Sequence, residues 1–206
     1  MRPTLSVLSD DLIKEILDEA KRIMAETGME IRGEKLRQRL LDHGLKTDAN
    51  GRVLFTQDVV EAAIDSAPES FTLFNRDGDP YTEIGGNNVH YVPGSSGLKI
   101  QDHRTGETRL SNSTDFIEYA RLCDGLDNIA YLATALSTNK DIESQVSDSW
   151  RLYMSLTTSK KPIDSGAFNE EVVPRKPEMM HLFRADKAEL FEKPMSLNTN
   201  TATANY

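Results

Sequence analysis

The segments Lys161-Pro162-Ile163-Asp164-Ser165 and Lys193-Pro194-Met195-Ser196-Leu197 each end a helical pattern on Lys-Pro and open a short apolar run. Proline cannot continue a helix and biases the residue before it toward extended backbone, so each segment marks a passage from helix to strand. With the earlier run Asn128-Ile129-Ala130-Tyr131-Leu132-Ala133, these strands recur roughly 30 residues apart, the length of a βαβ unit. One amphipathic helical pattern separates each pair. Such a beat belongs to a parallel sheet, because antiparallel neighbours need only a tight turn. The expected fold class is α/β: a partial TIM (β/α) barrel of about four βα units, preceded by a small helical region and short antiparallel strands.

Three regions follow from the texture of the chain. Residues 1–70 read as a helical N-terminal region. Ser9 caps a helix over about 10–27 that carries Leu12, Ile13, Ile16, Leu17, Ala20, Ile23 and Met24, and Gly28 ends it. A shorter helix with Leu36, Leu40 and Leu41 stops at Gly44, Ala49-Asn50-Gly51-Arg52 forms a hairpin turn, and Thr56 caps a third helix that ends before Pro68. Residues 71–112 alternate in short runs, Phe71 to Phe74, Tyr81 to Ile84 and Val89 to Val92, separated by Asp77-Gly78, Gly85-Gly86 and Gly94-Ser95-Ser96-Gly97. Val89 to Val92 is expected to be the first barrel strand.

Residues 113–206 read as the first half of a truncated barrel. Ser113 or Thr114 caps a helix with Phe116, Tyr119, Ala120 and Cys123 on one face. A helix over about 142–158 is expected to bury Val146, Trp150 and Tyr153. Pro177 is expected at the first position of a helix carrying Met179, Met180, Phe183 and Leu190.

A complete barrel needs about 250 residues, and this chain has 206. The net charge of −9, without basic clusters or interleaved aromatics, excludes nucleic acid and anionic membrane as principal partners. One cysteine, Cys123, permits no intramolecular disulfide, and no apolar run approaches a membrane span, so a soluble cytoplasmic protein is expected. The four histidines lie on four different elements without His-x-x-x-His or Cys-x-x-Cys spacing, so no metal site is expected.

Ligands meet a parallel barrel at the C-terminal ends of its strands. That rule selects Gly94, Ser95, Ser96 and Gly97 as a loop near the site, and Asp164, Phe168, Asn198 and Asn200 as substrate-binding candidates, with Tyr91 as an aromatic candidate in the first strand. Asn198 and Asn200 share one strand face by the period of two. Amides facing a barrel lumen need hydrogen-bond partners, which a ligand or a neighbouring strand would supply. Asp102-His103-Arg104-Thr105-Gly106 sits close to a cobalt-ligating Asp-x-His-x-x-Gly pattern, but Gln101 stands where the carboxylate is required, and the segment reads as a hairpin turn. The residues by themselves assign no catalytic group.

Several segments in order, Ile16 to Gly28, Val59-x4-Ile64-x2-Ala67-Pro68, Phe71-Thr72-Leu73, Tyr91-Val92-Pro93-Gly94, Asp102-x3-Gly106-Glu107-x-Arg109, Asp115-x3-Tyr119-Ala120-Arg121-Leu122 and Lys161-Pro162, resemble the trimethylamine:corrinoid methyltransferase family. The resemblance covers most of the chain and implies a TIM barrel that moves a methyl group from a methylated or quaternary amine to the Co(I) of a separate corrinoid protein. It implies no cofactor bound directly; the methylcobamide or cobalamin rides on the partner. The family includes a glycine betaine methyltransferase branch without pyrrolysine. Its members run to more than twice this length, so the resemblance covers an amino-terminal part, and the pyrrolysine position of the trimethylamine branch would lie beyond Tyr206. Aromatic faces and carboxylates suit a quaternary ammonium, which is the role the resemblance gives Tyr91, Asp164 and Phe168. Two other readings stay open: a catalytically silent half-barrel that forms a homo-oligomer through exposed strand edges, and a TIM-barrel enzyme of other amine or carbonyl chemistry.

Overall fold

The computed structural model describes residues 5–94, 97–167 and 170–199. They fall into two compact units, 5–68 and 69–199.

The first unit holds three helices, α1 (Asp10–Glu26), α2 (Glu34–Asp42) and α3 (Gln57–Ser66), and a two-stranded hairpin, β1 (Lys46–Thr47) with β2 (Val53–Leu54). Ser9 Oγ accepts from the Leu12 amide and so satisfies one free donor of the first turn of α1. Gly28 ends that helix at φ 66°, and a Cβ there would lie 2.6 Å from the Val53 carbonyl oxygen. Only glycine permits this approach, which lets Met29 and Val53 exchange two backbone hydrogen bonds of 2.8 Å.

The second unit begins with two antiparallel hairpins, β3 (Ser70–Phe74) with β4 (Pro80–Gly85) and β5 (Lys99–Gln101) with β6 (Thr108–Leu110). Helices then alternate with very short strands: α4 (Ser113–Asp124), β7 (Leu132–Ala133), α5 (Ser144–Thr158), β8 (Ile163–Asp164), α6 (Val172–His181), α7 (Lys187–Glu192) and β9 (Ser196–Leu197). β7, β8 and β9 form a parallel sheet in chain order, with Leu132, Ile163 and Ser196 in one row and Ala133, Asp164 and Leu197 in the next. Tyr91 and Gly97 bridge in parallel to Ile129 and Leu136. The segment Val89 to Val92, expected as the first barrel strand, makes a single parallel bridge from Tyr91 to Ile129, ahead of β7, rather than a strand. The described residues form no closed barrel; they form helices and small sheets of an α/β arrangement.

Other expectations are corrected by packing. The cap of α4 is Asn112, whose side chain accepts from the Asp115 amide while Asp115 accepts from the Asn112 amide, a reciprocal capping box. α5 buries Leu152, Met154 and Leu156, whereas Val146 and Tyr153 are 44% and 48% exposed. The buried side of α5 also carries Ser147, Asp148, Arg151 and Ser155, so its polarity hides it from a hydrophobic-periodicity reading. Pro177 stands inside α6 rather than at its first position, and Leu190 belongs to the separate helix α7.

Phe116, Ala120, Leu132, Leu152, Leu156 and Ile163 make the core between the sheet and helices α4 and α5, each large apolar side chain contributing about 1.5–3 kcal/mol on burial. The β3–β4 hairpin covers the N-terminal ends of the parallel strands. Thr82 Oγ1 donates to the Ala130 carbonyl, the Arg76 amide to the Lys160 carbonyl, and the Phe74 amide to the Pro194 carbonyl. Buried Arg184 adds donors to the carbonyls of Asn75, Arg76 and Lys193. One end of the sheet is therefore covered by the chain itself.

The first Lys-Pro supplies more than a helix stop. Lys161, 5% exposed, donates to the carbonyls of Cys123, Leu126 and Ile129 at 2.6–2.8 Å, satisfying the end of α4 and the loop into β7. The second buried polar cluster ties the β5–β6 hairpin to α4. Arg109 donates to Asp102 at 2.9 Å and to Asp115 at 2.7 Å; Arg104 first and Arg109 after it hold Asp102 well below the usual aspartate range, and Arg109 lowers Asp115.

Buried Lys161 and half-buried Arg109 each give a prediction. Lys161→Met keeps the apolar stem and removes the donor, so three carbonyls lose their partner; we expect a loss of about 3 kcal/mol in urea unfolding followed by Trp150 fluorescence. Asp102 and Asp115 have depressed folded-state values, so the stability from their pairing is present above the unfolded carboxylate range, about pH 4, and is lost as pH falls through their lower folded values. The melting temperature should drop steeply below about pH 4, and Arg109→Met should flatten that drop while lowering the melting temperature at neutral pH.

Candidate functional site

The C-terminal ends of β7, β8 and β9 present two faces whose residues alternate along each strand. Leu132, Ile163 and Ser165 point toward the helices, where Leu132 and Ile163 enter the core and Ser165 is buried. Ala133, Asp164 and Leu197 share the opposite face by the ladder register. Thr199 Oγ1 donates to Asp164 Oδ1 at 3.0 Å across that face.

A polar layer lies between the strand ends and the helices. Lys176, projecting from α6 and 4% exposed, donates to the carbonyls of Ser165 and Gly166 and to Asn198 Oδ1. Burial lowers its ammonium from the usual lysine range, opposed by the charges of Asp148 and Asp164. Next to it on α5, Arg151 pairs with Asp148 at 2.5 Å and donates to the Thr134 carbonyl at 3.0 Å. Thr138 and Ser147 share a hydrogen bond of 3.0 Å at the end of β7. Lys176 and Arg151 therefore cap the ends of β8 and β7, and through Asn198 the lysine also holds the end of β9. They serve as donors for strand ends and fix the platform that carries Asp164.

The sequence candidates divide on this geometry. Asp164 lies half-buried at the strand ends, held by Thr199. Asn198 lies on the helix side and accepts from Lys176, so its amide oxygen is engaged by the protein rather than facing the side of Asp164. Tyr91 is 70% exposed and bridges Ile129, before the start of β7, so it lies toward the N-terminal end of the sheet beside Tyr81, His90 and Asp127. Gly97 packs where a Cβ would meet Leu136 Cδ2 at 2.9 Å, and Gly94 is exposed with φ 90°. Ser95, Ser96, Phe168 and Asn200 lie outside the described residues. Among the described residues no three His, Cys, Asp or Glu side chains gather as metal ligands, and no helix is long and apolar enough to cross a membrane.

Residue-by-residue reading missed Lys176 and Arg151. A signal for the first was available: Lys176 stands four residues after Val172 and four before Met180, on the side of α6 where buried Val172 lies. A lysine at such a position needs acceptors, and the nearest are strand-end carbonyls. Removing it tests the clamp. In Lys176→Met we expect amide exchange at Ser165, which donates to the Leu197 carbonyl at 3.1 Å, to quicken by about tenfold or more, the equivalent of one charged hydrogen bond.

Comparisons with known proteins give this geometry its context. The trimethylamine methyltransferase (MTTB) family model matches residues 1–203. The glycine betaine methyltransferase of Desulfitobacterium hafniense (strain Y51) is 26% identical over 193 residues, covering 94% of this chain and 40% of that protein. The trimethylamine methyltransferase MttB of Methanosarcina thermophila is 27% identical over 146 residues, 68% of this chain and 30% of that protein. The MttB of Desulfitobacterium hafniense (strain DSM 10664 / DCB-2) is 27% identical over 126 residues, 61% of this chain and 25% of that protein. The chain spans 40% or less of the length of each of these relatives. A family match across nearly the whole sequence means that this chain belongs to the trimethylamine methyltransferase family.

Proposed function

We propose that this chain is the amino-terminal part of a methyltransferase that moves a methyl group from a methylated or quaternary amine to the Co(I) of a corrinoid protein, and that it contributes the first part of a TIM barrel. The observation that carries the reading is the family match over residues 1–203, together with the parallel order of the segment at Tyr91, β7, β8 and β9. Four neighbouring parallel segments joined through helices, with the N-terminal ends covered by a hairpin, are what an opening half of such a barrel requires. The methyl acceptor is a cosubstrate carried by another protein. In the transfer the nitrogen–methyl bond breaks, its electron pair stays on the leaving amine, and Co(I) supplies the pair for the new bond.

The chain's residues fit an approach to such an acceptor. A Cβ at Gly94 or Gly166 would meet no heavy atom within 4 Å, so the loops after the first and third segments leave space above the strand ends. The task for the protein is to hold the amine in line and keep water away. Asp164 is the carboxylate suited to a cationic head, and the Lys176 and Arg151 donors keep its strand end in register.

The reading of a silent half-barrel that self-associates has one observation in its favour: among the described residues, the outer edge of β9 pairs with no strand. One assay separates the two. The chain is mixed with a second polypeptide spanning the remainder of the glycine betaine methyltransferase sequence, a reduced corrinoid protein, and glycine betaine or trimethylamine, and formation of methyl-cobalt is followed by absorbance. Methyl transfer that requires this chain is the expected result. A folded, stable complex or self-assembly that transfers no methyl group from either amine overturns it.

A further inference from the structure

We propose that the outer edge of β9 and the apolar groove beside it form the docking surface for a further strand–helix unit, supplied by the carboxy-terminal part of a longer family member: a strand adds in parallel to β9 and its crossover helix seats in the groove. This rests on the reading of the chain as the amino-terminal part of a methyltransferase, and it names the surface and the residues through which that part is completed.

The backbone of β9 leaves one edge for a partner. The Ile163 amide donates to the Met195 carbonyl at 3.0 Å, and the Ser165 amide to the Leu197 carbonyl at 3.1 Å. Met195 and Leu197 thus turn their peptide groups toward β8, and Ser196 between them turns its own toward the other edge, which pairs with no strand among the described residues. The Ser196 side chain stands in the row of Leu132 and Ile163, the row that enters the core beneath the helices. On that side it lines a groove of about 410 Å3 together with Pro177 and Met180 of α6 and Leu190 and Phe191 of α7. Phe191 is 87% exposed. The charged residues lining the groove are one acid, Glu178, and one base, Lys187, so its walls carry no net charge and suit an apolar helix face.

Topology and length select the occupant. A strand added in parallel beside β9 needs a crossover, usually a helix, and right-handed connection puts that helix on the side where α5 and α6 already lie. The groove is on that side, and it adjoins the edge at Ser196, so one strand–helix unit covers both. A second copy related by a two-fold axis would set β9 against β9 in antiparallel order and break the parallel succession of β7, β8 and β9. The match to glycine betaine methyltransferase covers 94% of this chain and 40% of that protein, so more than half of that protein lies outside the match and supplies such a unit. Amphipathic helices enter apolar grooves through side chains spaced i, i+3 or i+4, and i+7. An exposed aromatic at the wall, here Phe191, is the type of residue that carries binding energy.

The test coexpresses the full chain, carrying an affinity tag, with a polypeptide spanning the remainder of the glycine betaine methyltransferase sequence. The remainder that copurifies is quantified, and amide exchange of the chain is compared alone and in the complex. We expect an equimolar complex in which exchange at the outward-facing Ser196 amide slows about tenfold or more. Phe191→Asp should reduce the recovered remainder about tenfold, whereas Leu122→Asp, at a 64% exposed position on α4, should leave it unchanged. Ser196→Pro removes the outward donor at a position where an edge strand tolerates proline, and it should also lower recovery. Circular dichroism confirms that each variant is folded; where Ser196→Pro is not, Phe191→Asp decides alone. A folded parent that recovers no remainder, or equal recovery in the parent and Phe191→Asp, overturns the proposal. Self-association of the chain that Phe191→Asp abolishes, without capture of the remainder, gives the groove to a second copy and also overturns it. Failure of the two ideas is distinguishable. A complex at this surface without methyl transfer in the complemented assay removes the proposed reaction and keeps the surface. Methyl transfer that is indifferent to Phe191→Asp keeps the reaction and removes the surface.

Discussion

Each strand of the parallel sheet is two residues long, so the ladder leaves most carbonyls around it without strand partners. Buried cations take up that role. Lys161 reaches three carbonyls at the end of α4 and before β7, Lys176 two after β8, Arg151 one after β7, and Arg184 three at the β3–β4 turn and before β9. The hydroxyl of Tyr119 adds another at Ala133. The helices and the short strands are locked together by side-chain donors as much as by the sheet, and loss of any one leaves acceptors stranded in a place water does not reach.

That constraint also arranges the candidate site. Donors from α5 and α6 occupy the helix-facing side of the strand ends, so that side is spoken for by the protein. The opposite side carries Ala133, Asp164 and Leu197. The β3–β4 hairpin covers the other end of the sheet, where Thr82 and the backbone of Phe74 and Arg76 meet the strand starts. The same division explains why Asn198 serves structure while Asp164, one pairing step away, stays available.

Much of this was legible before the structure. The Lys-Pro repeats marked the entries of β8 and β9, and Ser9, Gly28 and the turn at Asn50-Gly51 mark local geometry because capping and left-handed turns depend on one or two residues. The ordered motifs pointed to the family that the comparisons then matched over residues 1–203. Failures have a common cause. The buried side of α5 is partly polar, with Ser147, Asp148, Arg151 and Ser155, so periodicity placed Val146 and Tyr153 inward, whereas Trp150 does pack against the core as expected. Pro177 signals a helix start in isolation, yet tertiary packing retains it within α6. The strand at Val89 to Val92 reduced to a bridge because alternation of side chains does not say whether a neighbour will supply a ladder.

Local chemistry in the sequence determined where helices begin and stop, where the parallel strands enter, and which family the chain belongs to, since each of these depends on residues adjacent in the chain or on an ordered set of motifs. Tertiary structure alone decided which face of each strand end the helices take. The alternation of side chains names two faces but not which one the helices cover, and that choice was made by Lys176 and Arg151, long-range donors whose acceptors lie on other elements. It moved Asn198 from ligand candidate to clamp, because a hydrogen bond between distant segments depends on packing in three dimensions that no local pattern encodes.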